Sequence, residues 1–502
     1  MTSTPGTYFQ LNWRDMPRIR AMQTTLVDIL TNVDSSDRGE LEVCLVNSKK
    51  TKSFVDPTVS GLPSKMWLQS RETATRTLEN DKQAEYIAKF YIIARFISRK
   101  MDARLPSTNR AVGYRLVSKL MKQDTISRMI KDLALTMNVH PYALGIVPEN
   151  KGRVYVPDGV IVKTRTVGNI LAYAENKGSH VLLDLQGGET REVPRLIHSL
   201  QIVKPEKIRA VIVCEHRSMS SQFEEMERIE EPLMDGFLVL MSGGFSDASS
   251  KEFLSLLSQL DNLKDTPFLF MSDCDPHAIT IFTNFKFGSA CRAYESSHTI
   301  CPKLMWIGLT HAQYDVIADK WPEQLLKDAL KLRPNMSKSD QATFLAREKE
   351  HVRTKGAKVK ARPTAQINKA DRDRMDHLFK AGLLDGPGEQ VVKAQLEALR
   401  DGGHKLSVYD LDTFNTFGVL TWVRDAVAGV RGEYAELPEQ GVDPTFDETF
   451  VQQQFAALRM SQTSMDPESQ AVRDRADAFA RGNPQIISNS RKQRGVVNAE
   501  LL

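Results

Sequence analysis

The chain has 502 residues, 41% of them hydrophobic and 26% charged, a balance that excludes a fibrous or disordered protein and a length that requires at least two domains. Its 67 basic and 63 acidic residues give a formal net charge of +4, so any nucleic-acid surface must be a local patch. Five cysteines, odd in number and without a Cys-x-x-Cys pair suited to zinc, fit a reducing compartment, and no apolar run or signal-like start points to a membrane or to export.

In chain order, Met16, Ile19, Met22, Leu26, Ile29 and Leu30 recur at helical spacing and predict an amphipathic helix over residues 15–33. Such a stripe packs on its own domain or receives a partner helix, and the pattern leaves both open. Residues 48–64 mix Lys, Pro and Gly and read as a loop. Helical patterns follow, among them 84–99 and 124–137, the second with Ile126, Met129, Ile130, Leu133 and Met137 on one face and Asp124 as N-cap. After His140 and Pro141 the pattern turns strand-like, and Asn150-Lys151-Gly152 makes a tight turn before the run Arg153-Val154-Tyr155-Val156. Helices ahead of a short hairpin point to a winged helix, a fold that lays one helix in a DNA groove or only binds protein.

Short strands separated by Gly turns fill residues 158–205 and read as a connector. From Lys207 the pattern alternates: strands over 208–214, 236–241, 267–271 and 304–307, and helices over 249–263 and from Pro276. Alternation of this kind predicts a parallel sheet covered on both faces. The basic run with Lys349, Arg353, Lys355, Lys358, Lys360 and Arg362 reads as a solvated helix face or loop more readily than as a phosphate contact, and helical spacing returns over 371–399. Residues 436–444 are polar and rich in Pro and Gly, and 488–494 are rich in Arg, Asn and Ser.

The acids fall where an open parallel sheet binds its ligands, beyond the carboxyl ends of the strands. Glu215 follows one strand, and Asp273 and Asp275 follow another, so three carboxylates can meet in one crevice. That donor set suits magnesium, which takes hard oxygens and keeps several waters. Asp275-Pro276 also has the form of a helix start, with Asp as N-cap and Pro at the first helical position. Cys214 and Cys274 beside these acids read as small buried hydrophobes. Upstream, Arg110 and Tyr114 lie four residues apart and share a face if their segment is helical. A helical tyrosine is ordinarily a packing residue, and a phenol needs help to lose its proton. Arg110 can supply a cation there and clamp a phosphate with its guanidinium fork.

Five ordered elements then resemble the meiotic double-strand-break proteins, the eukaryotic relatives of the A subunit of topoisomerase VI. They are Thr108-Asn109-Arg110-Ala111-Val112-Gly113-Tyr114, Ile212-Val213-Cys214-Glu215, Asp273-Cys274-Asp275-Pro276-His277, Phe285-Lys286-Phe287-Gly288-Ser289 and Met305-Trp306-Ile307-Gly308-Leu309. The similarity runs over about residues 72–410. It departs from the family's pattern at Gly243, where the family carries a lysine, at Ala111 in place of an aspartate, and at His216-Arg217 in place of Lys-Asp.

The resemblance implies an α/β multidomain chain, a winged-helix (5Y-CAP-like) domain followed by a toprim domain with a Rossmann-like parallel sheet. The expected division is an arm over 1–70, the winged helix over 71–156, a β connector over 157–206, the toprim domain over 207–412 and an extension over 413–502. It also implies that Tyr114 is the nucleophile, aided by Arg110, that Glu215, Asp273 and Asp275 hold Mg2+, and that the substrate is double-stranded DNA on chromosomes in the nucleus. The partners it implies are a second copy of the chain, with each site built across the two, and a B-type subunit docked on the helix at 15–33. Two other readings stay open: a silent paralogue that scaffolds recombination, and a toprim nuclease in which metal-activated water attacks.

Overall fold

In the computed structural model the described residues are 31, 42–47, 53–55, 65–69, 73–116, 122–149, 151–174, 180–217, 219, 236–245, 247–361, 365–386, 388–413 and 418–431. The helix expected over 15–33 lies outside them apart from Thr31, which is helical, and so do the polar stretches at 436–444 and 488–494. Strands β1 (Glu42–Val46), β2 (Ser53–Val55), β3 (Trp67–Gln69) and β4 (Thr73–Thr77) form two antiparallel pairs, β1 with β4 and β2 with β3. Strand β2 replaces part of the loop expected over 48–64. Its Val55 and the facing Trp67 pack on the main core, an apolar anchor that the surrounding Lys, Pro and Gly residues disguise.

Helix α1 (Asp81–Asp102) starts where the Asn80 side chain accepts a bond from the Lys82 N–H and ends on Arg99 and Lys100, cations at the negative end of its dipole. Its buried Ile87, Phe90, Ala94, Ile97 and Met101 repeat at helical spacing. After β5 (Ser107–Thr108) and α2 (Asn109–Leu116), helix α3 (Gln123–Thr136) offers Ile126, Met129, Ile130 and Leu133 to the same core. Its N-cap is Lys122 rather than Asp124, and no side chain caps it; Asp124 sits in the first turn, where a carboxylate still opposes the positive end of the helix.

Strand β6 (Ile146–Val147) pairs with β5, and β7 (Arg153–Val156) does not fold back on it. The hairpin expected around Asn150-Lys151-Gly152 is therefore corrected: β7 enters the large sheet, where Val154, Tyr155 and Val156 are all buried. Three consecutive buried apolar residues fit a strand covered on both faces, not a wing with one wet face. Strand β8 (Ile161–Val167), helix α4 (Ile170–Ala174), β9 (His180–Gln186), β10 (Glu189–Glu192) and β11 (Ile197–Val203) fill the connector. Strands β11, β8 and β9, in that order, form an antiparallel sheet of three, while β10 joins β7.

The large sheet is completed by β12 (Ala210–Cys214), β13 (Phe237–Met241), β14 (Phe268–Met271) and β15 (Leu304–Trp306), in the order β10-β7-β13-β12-β14-β15. The last four strands are parallel and every residue of β12, β13 and β14 is buried, as the continuous apolar runs require. Helices α5 (Ala248–Ser258) and α6 (Pro276–Lys286) bury Phe253, Phe282 and Phe285 in the same core. Helix α7 (His311–Leu332) begins in a reciprocal cap between Thr310 and Gln313, and α8 (Lys338–Ala361) packs along it with Lys349, Arg353 and Lys358 exposed. Helices α9 (Lys369–Ala381) and α10 (Gln390–Arg400) follow, separated at Gly382, whose φ of 65° belongs to the left-handed region. Helix α11 (Gly418–Arg431) packs Val419, Trp422 and Val427 on the sheet's core, and its Trp422 indole donates to Ile307 O at 2.9 Å.

One joint holds the helical unit against the sheet. Lys131 of α3 donates to Cys291 O at 2.6 Å, and buried His140 meets buried Glu295, on the 3-10 helix Ala290–His298, at 3.1 Å. Burial alone would raise the Glu295 carboxyl, yet Arg292 at 2.5 Å, with His140 and His298, holds it well below the usual carboxylate range. A depressed acid contributes stability that is present above its unfolded value near 4.5 and is lost as pH falls through the folded value. Arg292 is 36% exposed along its side chain, so the penalty for cutting the network falls on His140 and the buried end of the pair. Glu295→Ala is expected to cost about 3–5 kcal/mol, measured by urea unfolding at pH 7. A loss below about 1 kcal/mol would show that the joint carries no such energy.

Candidate active site

Parallel pairing aligns Cys214 with Met271, so β12 and β14 end side by side and deliver Glu215 and Asp273 to one crevice. Glu215 is 9% exposed and its Oε2 is buried without a hydrogen-bond partner. Burial pushes its carboxyl up to about 7; His216 opposes the shift, and Asp273 and Asp275 add to it. Asp275 does what a helix start asks: its Oδ1 accepts the Ala278 N–H at 2.7 Å, capping α6. Its carboxyl is also raised by burial, partly offset by that bond, with Asp273 adding repulsion. The two cysteines beside these acids are fully buried, as expected of small hydrophobes.

Asp273 is seated from far along the chain. Its Oδ1 accepts from Ser407 Oγ at 3.1 Å and from the Val408 N–H at 2.9 Å, where residues 274 and 406 form an antiparallel bridge. Its Oδ2 faces His216 Nε2 at 3.5 Å, and that bond, against burial, raises the imidazole's pKa. The His216 ring rests edge-on against Tyr409, with centroids 5.3 Å apart. Neither His216 nor Ser407 and Val408 stood among the predicted site residues. His216 is marked in the sequence only as a departure from the family's pattern, and the pair at 407–408 has no local signal.

Three acids that disfavour one another's charge are a place where a hard divalent cation is welcome. Among the described residues no three His, Cys, Asp or Glu side chains surround a point closely enough to cage a metal alone. A cation that keeps waters and takes phosphate oxygens needs only one or two carboxylates, and the unpartnered Glu215 oxygen is the atom it would serve. The donor set therefore fits.

Gly243 and Gly244, after β13, have φ of 65° and 86°, and Gly244 N–H donates to Glu215 O at 3.0 Å. A Cβ at Gly243 would stand 2.6 Å from Arg217 Cδ, so Arg217 fills the space that a side chain at 243 would need. Two departures noted in the sequence thus fit together: without a lysine at 243, the arginine at 217 lies there. Gly243→Lys is expected to lower stability by about 1–2 kcal/mol, because a left-handed backbone rejects a Cβ and Arg217 must move. An unchanged melting temperature would contradict this.

Tyr114 and Arg110 lie on α2, outside the crevice. Helix α2 is held by buried Val112 and by Gly113, over which the Gln123 side chain passes so closely that a Cβ would touch its Oε1. Gln123 in turn donates to Asn109 O at 3.2 Å. This turns Tyr114 outward, 73% exposed, with Arg110 on the same face, 61% exposed and 3.8 Å from Glu149. The structure brings the three acids together and Arg110 with Tyr114, but not the two groups within one chain: the charges that act on Glu215 and Asp275 include His216, His277 and Lys405, not Arg110 or Tyr114.

A parallel sheet with carboxylates at adjoining strand ends defines the class, a toprim-type domain, which generally binds metal. Residues 210–372 match the family model for the Toprim domain of Spo11 and the A subunit of topoisomerase 6. Meiotic recombination protein SPO11-4 of Oryza sativa subsp. japonica is 24% identical over 244 residues, 48% of this chain and 45% of that protein. Meiotic recombination protein SPO11 of Homo sapiens is 22% identical over 300 residues, 58% of this chain and 67% of that protein. Meiotic recombination protein rec12 of Schizosaccharomyces pombe is 24% identical over 287 residues, 56% and 74% of the two chains. The match thus spans less than half the length of the rice relative. The chain belongs to the Spo11/topoisomerase VI A-like meiotic family.

Proposed function

We propose that this chain acts in meiotic recombination by cutting double-stranded DNA through a topoisomerase-like transesterification, at chromosomes in the nucleus. The observation that carries the reading is the acid crevice at the sheet's carboxyl edge, with its unpartnered Glu215 oxygen, in a chain that also presents an exposed tyrosine beside an arginine. In this reading the Tyr114 phenolate oxygen attacks a backbone phosphorus in line, the new Tyr–O–P bond forms as the P–O3′ bond breaks, and the leaving oxygen takes up a proton. A 5′-phosphotyrosyl link results. Arg110 clamps the non-bridging oxygens, and Glu215, Asp273 and Asp275 would hold Mg2+, which supplies positive charge where the phosphate gathers negative charge.

Because Tyr114 faces away from its own acids, the reading needs a second copy of the chain, each site taking the phenol from one and the carboxylates from the other. The helical unit with α2 would serve as the winged-helix (5Y-CAP-like) element that lies against DNA, and a B-type subunit would dock on the helix expected over 15–33.

The test is to isolate protein-linked DNA from cells in meiosis, digest both polymers and identify the modified peptide. A nucleotide on Tyr114 supports the proposal. DNA ends free of protein would favour water as the attacking group, and the absence of breaks with the protein in place would favour a scaffolding paralogue, a reading to which Ala111 and Gly243 lend weight.

A further inference from the structure

Strand β9 is an edge: among the described residues it pairs with β8 alone. Its register to β8 runs from Val167–His180 to Ile161–Gln186 without a bulge, and it contains no proline, so two devices that usually blunt an edge are missing. Three consecutive residues stand open to solvent, Val181 at 47%, Leu182 at 78% and Leu183 at 43%. Val181 and Leu183 lie on the face that buries Leu185, so the apolar layer under this sheet is uncovered at its rim. The hydroxyls of Thr164 and Thr166 donate to Leu183 O and Val181 O, which turns those carbonyls toward β8. By alternation the N–H and C=O groups of His180, Leu182 and Asp184 point outward.

We propose that β9 is the strand through which two copies of this chain pair, antiparallel about a two-fold axis at Leu182, joining two three-stranded sheets into one of six. A two-fold axis normal to the sheet sets residues of equal facing opposite one another, so the centre is a residue rather than a gap. Centring on Leu183 would put Leu182 against Asp184. Centring on Leu182 sets Leu182 against itself, Val181 against Leu183, and the His180 imidazole against the Asp184 carboxylate, a donor facing an acceptor. Asp184 then lies between Lys163 of its own chain, its partner across β8, and His180 of the second copy. This complementarity of charge and shape within one seven-residue strand selects a second copy over an unrelated strand.

The inference rests on the two-copy reading above and names its surface. Sedimentation of the full chain at micromolar concentration is expected to show a dimer, and Leu182→Lys, which sets like charges at the axis, to raise the dimer Kd at least about tenfold. Leu332→Lys, at a position 86% exposed on α7, is expected to change nothing. Leu182→Cys should give a disulfide-linked dimer under mild oxidation, since directly opposed Cα atoms of about 5.5 Å suit the bond, and Leu183→Cys should not. The unsubstituted chain, with its exposed Cys44 and Cys291, sets the background, and circular dichroism confirms that each variant is folded. A dimer indifferent to both changes at Leu182 overturns the role of β9 and leaves the two-copy reading standing. A monomer overturns both, and cross-linking at Leu183→Cys alone overturns the register.

Discussion

Tyr114→Phe is expected to abolish covalent protein–DNA species while leaving the protein folded. The change removes one oxygen from a ring that is 73% exposed, so its effect on stability should stay within about 0.5 kcal/mol. For the reaction the oxygen is everything: removing a nucleophile costs on the order of 10⁶ in kcat in a well-studied hydrolase, far beyond the loss of a positioning contact. Measurement of protein-linked DNA and of breaks in the same cells separates the readings. Linked DNA that persists undiminished would move the nucleophile elsewhere, and breaks that persist without linked protein would assign the attack to water.

For Glu215→Gln the expected outcome is a loss of cleavage of at least about 10²-fold, since charge neutralisation by a metal contributes several kcal/mol and each 1.36 kcal/mol is tenfold. A second readout needs no DNA. The folded value of this acid, about 7, is above the ordinary 4.5, so the group's contribution to stability is fully present below about pH 4.5 and is lost as pH rises through 7. A bound cation offsets that loss only where the carboxylate is charged. Magnesium should therefore raise the melting temperature of the wild-type chain more at pH 8 than at pH 5.5, with proton release on binding near pH 6.5, and Glu215→Gln should lose this pH dependence. Equal shifts at both pH values would remove Glu215 from the metal's ligands.

The sequence exposed the acids because parallel strands covered on both faces read as unbroken apolar runs with abrupt polar ends. Ile212-Val213-Cys214 closing on Glu215, and Phe270-Met271 closing on Ser272-Asp273, mark both strand ends within a residue or two. Asp275 carries two signals, acid and helix cap, and the structure honours the cap while leaving the acid in the crevice. What the sequence hid was choice of partner. The run at 153–156 is strand-like from its residues, but whether it turns back on 146–147 or crosses to β13 is decided by distant packing. Ser407 and Val408 lie 134 and 135 positions from Asp273, and a serine before a valine has no mark of a carboxylate's seat. Asp124 was legible as an acid near a helix start, though not as one already past the cap.

That distant seat has a consequence in time. On a ribosome, strands β12 to β15 emerge and can assemble well before residues 407 and 408 exist, and through that interval Asp273 lacks the two donors that aim it. A nascent or truncated chain ending before residue 407 would own the acids without their alignment, so competence arrives late in synthesis, after the body of the sheet is in place.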